Sequence, residues 1–583
     1  MSLYISRRPA RTVTLVAVLV AVVAVIIGAL PVFANSPGTN YYSPTSNTEV
    51  LSYNRMVRLQ HSGTANGAII GTFEHATLDG SAAQFDIRRS TDDGQTWSTI
   101  STLADPLTGA GHPADHMWEP YLLEFPQALG NYPAGTLLMV ADVEPTTGAS
   151  NTNFVEWRST NGGASWTYMS NFQNGGAPGS GIWEPFLAVD STGHLICYFS
   201  DERQNGTYSQ KLAHIVSTDG GLTWSANPDG STRVSPGEVN DVASSTQSDR
   251  PGMATVAQNN AGLYVLSFEV CGPADGCQAH IKTSTTADSW GSGATDLGIA
   301  VVTTDGRSLY HSPYITWSPA GGNNGEFLLA GQNETGGSES QQVILINTNN
   351  ASGSWTWTPA PLAATGTPTS SCDVNYSPDL LASNSGESIR YTAASAIGSY
   401  GCEEVTGQTN AGVLPFSSTF ASSDSGWIDY GGCWTTSAGQ YIESCGGNNG
   451  NKAIAGSTGW TDYTLSGDVQ INSGTQAGFT VRVTNPSTGT DAFNGYYVNV
   501  TPTQLALARE NGAWTPLHNV TIPGGLTFNS WYHITVQLIG CTLTVSGQPV
   551  GSTAAPISFT YTDTGCTFTS GAIGVRDQGS TAS

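Results

Sequence analysis

Three stretches of this chain share one eight-residue turn: STDDGQTW at 90–97, STNGGASW at 159–166 and STDGGLTW at 217–224. All fit Ser-x-Asp/Asn-x-Gly-x-Ser/Thr-Trp. Worn versions follow as STTADSW (284–290) and NTNNASGSW (347–355), so successive starts lie 69, 58, 67 and 63 residues apart. The pattern has a local physical cause. An Asp or Asn side chain accepts backbone N–H groups inside a hairpin, Gly supplies the backbone angle, and Trp packs on neighbouring strands. A long period with strand-like segments between turns predicts repeated antiparallel sheets around an axis. Five turns plus one unmarked unit predict a six-bladed β-propeller over 45–415, built from strands such as AQFDIRRS (83–90), TLLMVAD (136–142), HLICYFSD (194–201) and GLYVLSFEV (262–270). No long helix is expected.

The turn is lost after about residue 417. The remainder, 417–583, alternates apolar and polar residues in QAGFTVRVTN (476–485) and WYHITVQLIGCTLTVSG (531–547), the pattern of a β-sandwich of the jelly-roll type. It is similar to the laminin-G-like or concanavalin-like domains appended to secreted carbohydrate enzymes, which makes it a candidate carbohydrate-binding module. Tyr496, Tyr497 and Trp531 are read there as core residues before glycan contacts.

Charge narrows the partners. With 19 Lys+Arg against 44 Asp+Glu, the net charge is -25, which argues against nucleic acid and anionic membrane surfaces and suits a neutral or cationic ligand. At the N-terminus, Arg7, Arg8 and Arg11 precede an apolar run ending in V-F-A at 32–34. Residues 1–34 fit a cleaved signal peptide or a retained membrane anchor, and either implies export, with cell-surface anchoring in the second case. Nine cysteines agree with export. Proximity suggests pairing Cys271 with Cys277, Cys372 with Cys402, Cys433 with Cys445 and Cys541 with Cys566, which leaves Cys197 as a buried thiol. No metal site or cofactor is expected, and the chain is expected to be a monomer.

Two near copies, HMWEPYLLEF (116–125) and GIWEPFLAVD (181–190), set Glu119 and Glu184 in the same Trp-Glu-Pro frame, 65 residues apart. Repetition at the blade period would turn both acids toward one pocket. Glu269, in LYVLSFEV, is a third acid in an apolar strand. Two carboxyl groups facing one glycosidic bond are what glycoside hydrolysis needs, and an apolar wall raises the pKa of the acid partner. The residues by themselves leave open whether Glu119 or Glu269 partners Glu184. Asp115, His116, Trp118 and Trp183 are candidates to bind sugar, as are Arg55, Arg58, Asp249, Arg250 and Tyr376. Against this stand plainer readings: Glu119 as a structural twin left by duplication, the arginines as partners of carboxylates, and Trp97, Trp166 and Trp224 as packing residues.

The order R-M-V-R-L near 55, W-E-P-Y near 119, W-E-P-F at 183–186, C-Y-F-S-D-E-R at 197–203, D-R-P-G-M at 249–253 and S-F-E at 267–269 resembles glycoside hydrolase family 93 over roughly 50–400. That resemblance implies a sialidase-like propeller and a retaining exo-α-1,5-L-arabinanase that releases arabinobiose from linear arabinan. It also implies Glu184 as acid/base and Glu269 as nucleophile. Cys271 and Cys277, just past Glu269, depart from the family pattern. The rival readings are another plant-polysaccharide glycosidase, a sialidase, and a non-catalytic glycan-binding propeller.

Overall fold

The first two clear turns lead directly into strands that start at Ser98 and Thr167. In this computed structural model the described residues are 38–582, apart from 78–82, 108–115, 145–151, 177–178, 226–236, 336–342 and the single positions 274, 292, 368, 370, 422, 448 and 580. The expected signal or anchor segment and Asp115 therefore lie outside the described residues. Among those residues no helix is long and apolar enough to cross a membrane.

The three clear turns have the chemistry their sequence demands. Asp92 Oδ1 accepts the Thr96 N–H at 2.9 Å, Asn161 Oδ1 that of Ser165 at 3.0 Å, and Asp219 Oδ1 that of Thr223 at 2.9 Å. The leading serine of each turn takes the N–H of a glycine four residues on: Gly94, Gly163 and Gly221. Those glycines have φ of 78°, 87° and 90°, a region open to Gly at little cost.

Each turn joins neighbouring strands of an antiparallel sheet. The first sheet orders Glu49–Arg58, Ile69–Thr77, Ala83–Ser90 and Ser98–Ala104. The second orders His116–Glu124, Leu137–Glu144, Asn153–Ser159 and Thr167–Asn174, and the third Ile182–Val189, Leu195–Asp201, Lys211–Ser217 and Val239–Val242. The fourth starts with Arg250–Gln258, Tyr264–Cys271 and Gln278–Ser284 and grows to six strands. The fifth leads with Tyr314–Ser318. The sixth pairs Asp379–Ala382, Ser388–Ser395 and Glu403–Asn410 with Thr39–Tyr42 from the other end of the chain.

The all-β expectation holds, but the closed architecture does not. Strand pairing stops at the edges of each sheet, no ladder among the described residues carries one sheet into the next to close a propeller or barrel, and the fourth sheet has six strands where a uniform blade has four. The reason is physical. A repeated turn reports one hairpin and its local packing, and it fixes neither how many strands follow nor how the sheets close. The C-terminal expectation is corrected in the same way. Residues 427–582 form two open seven-stranded sheets without jelly-roll closure. The two share one apolar core that includes Trp427, Phe479, Ile534 and Val545, which explains why the alternation was so clear. Tyr496 and Tyr497 are fully buried, in keeping with their reading as core.

A separate core joins the fifth sheet to the later ones. Trp355 and Trp357 pack with Ile428, Ile454 and Tyr497. The backbone N–H of Trp357 donates to Thr458 Oγ1 at 3.0 Å, and its carbonyl accepts the Thr458 N–H at 3.0 Å.

The cysteine pairs stand as proximity suggested. Cys271 is bonded to Cys277, and Cys372 to Cys402, which ties the loop before the sixth sheet to that sheet's last hairpin. In the C-terminal sheets Cys433 is bonded to Cys445, and Cys541 to Cys566. Three of these bonds are structural staples: Cys402, Cys445 and Cys566 belong to no part of the carboxylate cluster described below. Cys197 is free and buried.

Candidate active site

The leading strands of consecutive sheets lie against one another, and each carries a kink at the same place. In the first four, the register slips between Ser52 and Arg55, Trp118 and Tyr121, Trp183 and Phe186, and Gly252 and Thr255. The residue inside each slip has left-handed backbone: Tyr53 (φ 55°), Glu119 (58°), Glu184 (58°) and Met253 (57°). Ser312 and Ser377, just before the leading strands of the fifth and sixth sheets, have φ of 41° and 48°. Bulges of this kind re-aim a side chain and free a backbone N–H from the ladder. Pro120, Pro185, Pro313 and Pro378 each follow one of these left-handed residues. Proline has no N–H to give a ladder, so it fits where pairing is already broken. This is why the chain writes Trp-Glu-Pro twice.

The freed N–H groups need acceptors, and the neighbouring sheet supplies them. Opposite the slips, on the second strand of the first, third and fourth sheets, stand Glu74, Ser200 and Glu269. Glu74 accepts the Glu119 N–H at 2.8 Å, Ser200 Oγ the Met253 N–H at 3.1 Å, and Glu269 the Ser312 N–H at 2.8 Å. Glu119 itself accepts the Glu184 N–H, and Ser312 Oγ accepts that of Ser377 at 2.9 Å. Side chains therefore link sheet to sheet and bring acids together. Glu119 and Glu184 come from one structural position, while Glu74 and Glu269 come from a second.

Crowding these acids in a desolvated place raises their pKa values. Burial pushes Glu184 up to about 7, against the hydrogen bonds from Ser200 and Met253; Glu202 adds to the rise and Arg250 opposes it. Burial likewise pushes Glu269 to about 7, with the Ser312 N–H lowering it and the charge of Glu184 raising it. The Glu184 and Glu269 carboxyls thus sit within reach of each other's field. Glu119 is raised well above the carboxylate range by burial and then by Glu184, Asp142 and Glu74. Burial also holds Glu74 near 7. The Tyr376 phenol is raised by burial and then by the charges of Glu184, Glu119 and Glu269.

Beside this cluster opens a cavity of about 530 Å³, lined among others by Glu74, Trp118, Glu119, Trp183, Asp373 and Tyr376. Glu184 and Glu269 are not among its walls, whereas Tyr376, whose hydroxyl lies 3.6 Å from Met253 Sδ, is. The two tryptophans are held alike, Trp118 Nε1 donating to Glu144 and Trp183 Nε1 to Glu202, each at 3.2 Å. Among the described residues no arginine lines the cavity. Arg55 is buried, donates to Ser377 Oγ at 2.7 Å and lies 4.1 Å from the Tyr53 ring centre. Arg58 pairs with Asp93 at 2.7 Å, and Arg250 pairs with Glu202 at 2.5 Å. Asp249 is buried and accepts from Ser244 at 2.7 Å across a turn whose residues 245–248 are exposed, and His116 lies 3.8 Å from Glu144 beside Trp118. A larger cavity of about 750 Å³ between the C-terminal sheets contains none of the cluster.

Sequence reasoning missed Glu74, Ser200, Ser312 and Asp373. For Glu74 a signal existed: Thr-Phe-Glu at 72–74 copies Ser-Phe-Glu at 267–269. The serines and Asp373 carry no such mark.

No family model matches the chain, and no curated protein matches it. Solved structures do. An α-L-arabinofuranosidase from Fusarium graminearum, held with an iminosugar inhibitor, is 26% identical, with a TM-score of 0.53, covering 64% of this chain and 98% of its own. The complex of the family 93 α-L-arabinofuranosidase of the same fungus with arabinobiose is 26% identical over 65% of this chain and 98% of its own, with a TM-score of 0.52. An α-L-arabinanase from Penicillium chrysogenum complexed with arabinobiose is also 26% identical, with a TM-score of 0.52, covering 65% of this chain and 99% of its own. At this level of likeness the chain is a carbohydrate-active all-β protein related in structure to glycoside hydrolases.

Proposed function

We propose that the chain is a glycoside hydrolase that cuts a neutral plant polysaccharide, with linear arabinan as the first substrate to test. The observation that carries this reading is the pair Glu184 and Glu269: both are held near 7, and Glu184 raises Glu269 by its charge. One proton shared between two nearby carboxyls gives an acid and a base at once. In this reading Glu184 protonates the leaving oxygen while Glu269 attacks the anomeric carbon. Water then releases the sugar with Glu184 as base, so configuration is retained. The cavity between Trp118 and Trp183 takes the sugar that ends at the cleaved bond. The acidic lining suits a neutral sugar. A sialidase reading is disfavoured because Arg55, Arg58 and Arg250 are each committed elsewhere and none lines the cavity.

The arabinan assignment draws on the solved structures held with arabinobiose and on the ordered acidic motifs. Residues 417–583 are proposed to hold polysaccharide near the site, and residues 1–34 to direct export. The test is a time course on debranched arabinan, on other neutral plant polysaccharides and on a sialoside. A single disaccharide from arabinan in the first minutes supports an exo-acting arabinanase. Products of mixed length, or cleavage of another polysaccharide alone, move the assignment to another glycosidase. Sugar binding without hydrolysis makes the chain a binding protein.

A further inference from the structure

Glu269 has neighbours that the hydrolytic reading does not use. Cys271 and Cys277 are joined by a disulfide, and Cys271 Sγ lies 3.3 Å from Glu269 Oε1. His311 closes the group: its backbone N–H donates to the Cys277 carbonyl at 2.9 Å, and its φ of 62° marks the bend that leads into Ser312. One donor atom from each of Glu269, Cys271, Cys277 and His311 falls within 4.8 Å of all the others. Two sulfurs, an imidazole nitrogen and a carboxylate oxygen form a tetrahedral zinc donor set, in which bond lengths near 2.0–2.3 Å put ligand atoms roughly 3.3–3.8 Å apart. Small shifts suffice for His311 and Glu269, but the bonded sulfurs must separate.

We infer that reduction of the Cys271–Cys277 disulfide creates a site for one zinc-like divalent cation, held by both cysteines, His311 and Glu269. The chemistry balances with a phosphine as reductant. The S–S bond breaks, each sulfur gains a proton, and the phosphorus becomes a phosphine oxide with its oxygen taken from water. The cation then displaces both thiol protons. The two cysteines are six positions apart in sequence, so the loop that brought the sulfurs together also keeps them close once reduced. Among the described residues this is the one group with such a donor set. A cation bound there takes a carboxylate oxygen from Glu269. This consequence for hydrolysis rests on the proposed role of Glu269, whereas the site itself does not.

The test uses the full chain, treated or untreated with a water-soluble phosphine and titrated with Co²⁺. Binding is read from thiolate-to-cobalt absorption in the near ultraviolet and from visible bands of tetrahedral cobalt. The expected result is one equivalent bound by the reduced protein and none by the untreated one. At least a tenfold loss of affinity is expected in the double variant Cys271→Ser with Cys277→Ser, and in His311→Ala. The double variant Cys433→Ser with Cys445→Ser, which removes an exposed pair elsewhere, binds like the parent. Glu269→Gln keeps the cysteines and serves as a second probe, expected to weaken binding while its circular dichroism matches the parent. Equal cobalt binding before and after reduction, or unchanged binding when Cys271 and Cys277 are both replaced, overturns the inference. Since the readout is spectroscopic, it stands or falls independently of whether the chain cuts arabinan.

Discussion

The backbone N–H of Glu184 donates to the carboxylate of Glu119, so one member of the repeated Trp-Glu-Pro pair holds the other in place. Glu119→Ala leaves a bulge N–H without its acceptor and is expected to cost about 1–3 kcal/mol of stability. Glu119→Gln keeps an oxygen at that position and should recover most of the loss. Denaturant unfolding of both variants checks this, and equal stability of the two would remove the bond from the account.

Glu184→Gln and Glu269→Gln keep size and polarity but cannot trade a proton or attack as a carboxylate. Each is expected to lower kcat by about 10²–10⁴-fold with little change in folding. Initial rates on the best substrate decide, and full activity in either variant excludes that residue from the chemistry.

Activity should follow a bell centred near pH 7. Below the lower step both Glu184 and Glu269 are protonated and there is no nucleophile; above the upper step both are ionised and there is no acid. The steps belong to the pair. A profile of kcat/KM against pH with its maximum near 4 would contradict the burial that raises both groups.

Trp118 and Trp183 line the cavity, and their indole N–H groups are tied back to Glu144 and Glu202. Replacing either by Ala removes an apolar wall and should raise KM about 5–20-fold, with a smaller effect on kcat. An unchanged KM in both variants would take the sugar out of this cavity.

Glu404 is buried, accepts from Asn54 Nδ2 at 2.5 Å and is pushed by burial up to about 8. The folded chain thus keeps a proton that the unfolded chain releases near the ordinary value of 4.5. Stability from this group is present at low pH and falls as pH rises from about 5 to 8. Glu326, also about 8 through burial, acts in the same direction. The melting temperature is expected to drop across this window, and Glu404→Gln, which titrates nothing, should flatten the slope. A melting temperature that rises from pH 5 to 8 would refute it.

The turns were readable because their chemistry is local: Ser90, Asp92 and Gly94 bond one another within five residues. The paired Glu119 and Glu184 were readable because Pro120 and Pro185 mark the same broken register. The cysteine partners were readable because each pair, such as Cys541 and Cys566, lies within one or two hairpins of sequence. Glu269 could be singled out only through a family resemblance, since its position is set by pairing with Gly252 on another strand. Ser200 and Ser312 were invisible for the same reason; a serine becomes an acceptor or donor only when a neighbouring sheet delivers its partner. That the sheets stay separate and open was unreadable too, because a turn motif says nothing about the far edge of a sheet.

Trp357 and Thr458 grip each other by two hydrogen bonds inside a core that also takes in Ile454 and Tyr497. The later sheets are therefore not a leash of adjustable reach. A polymer caught on them would meet the carboxylates at one set bearing, and lengthening the connection after residue 411 would not let it swing.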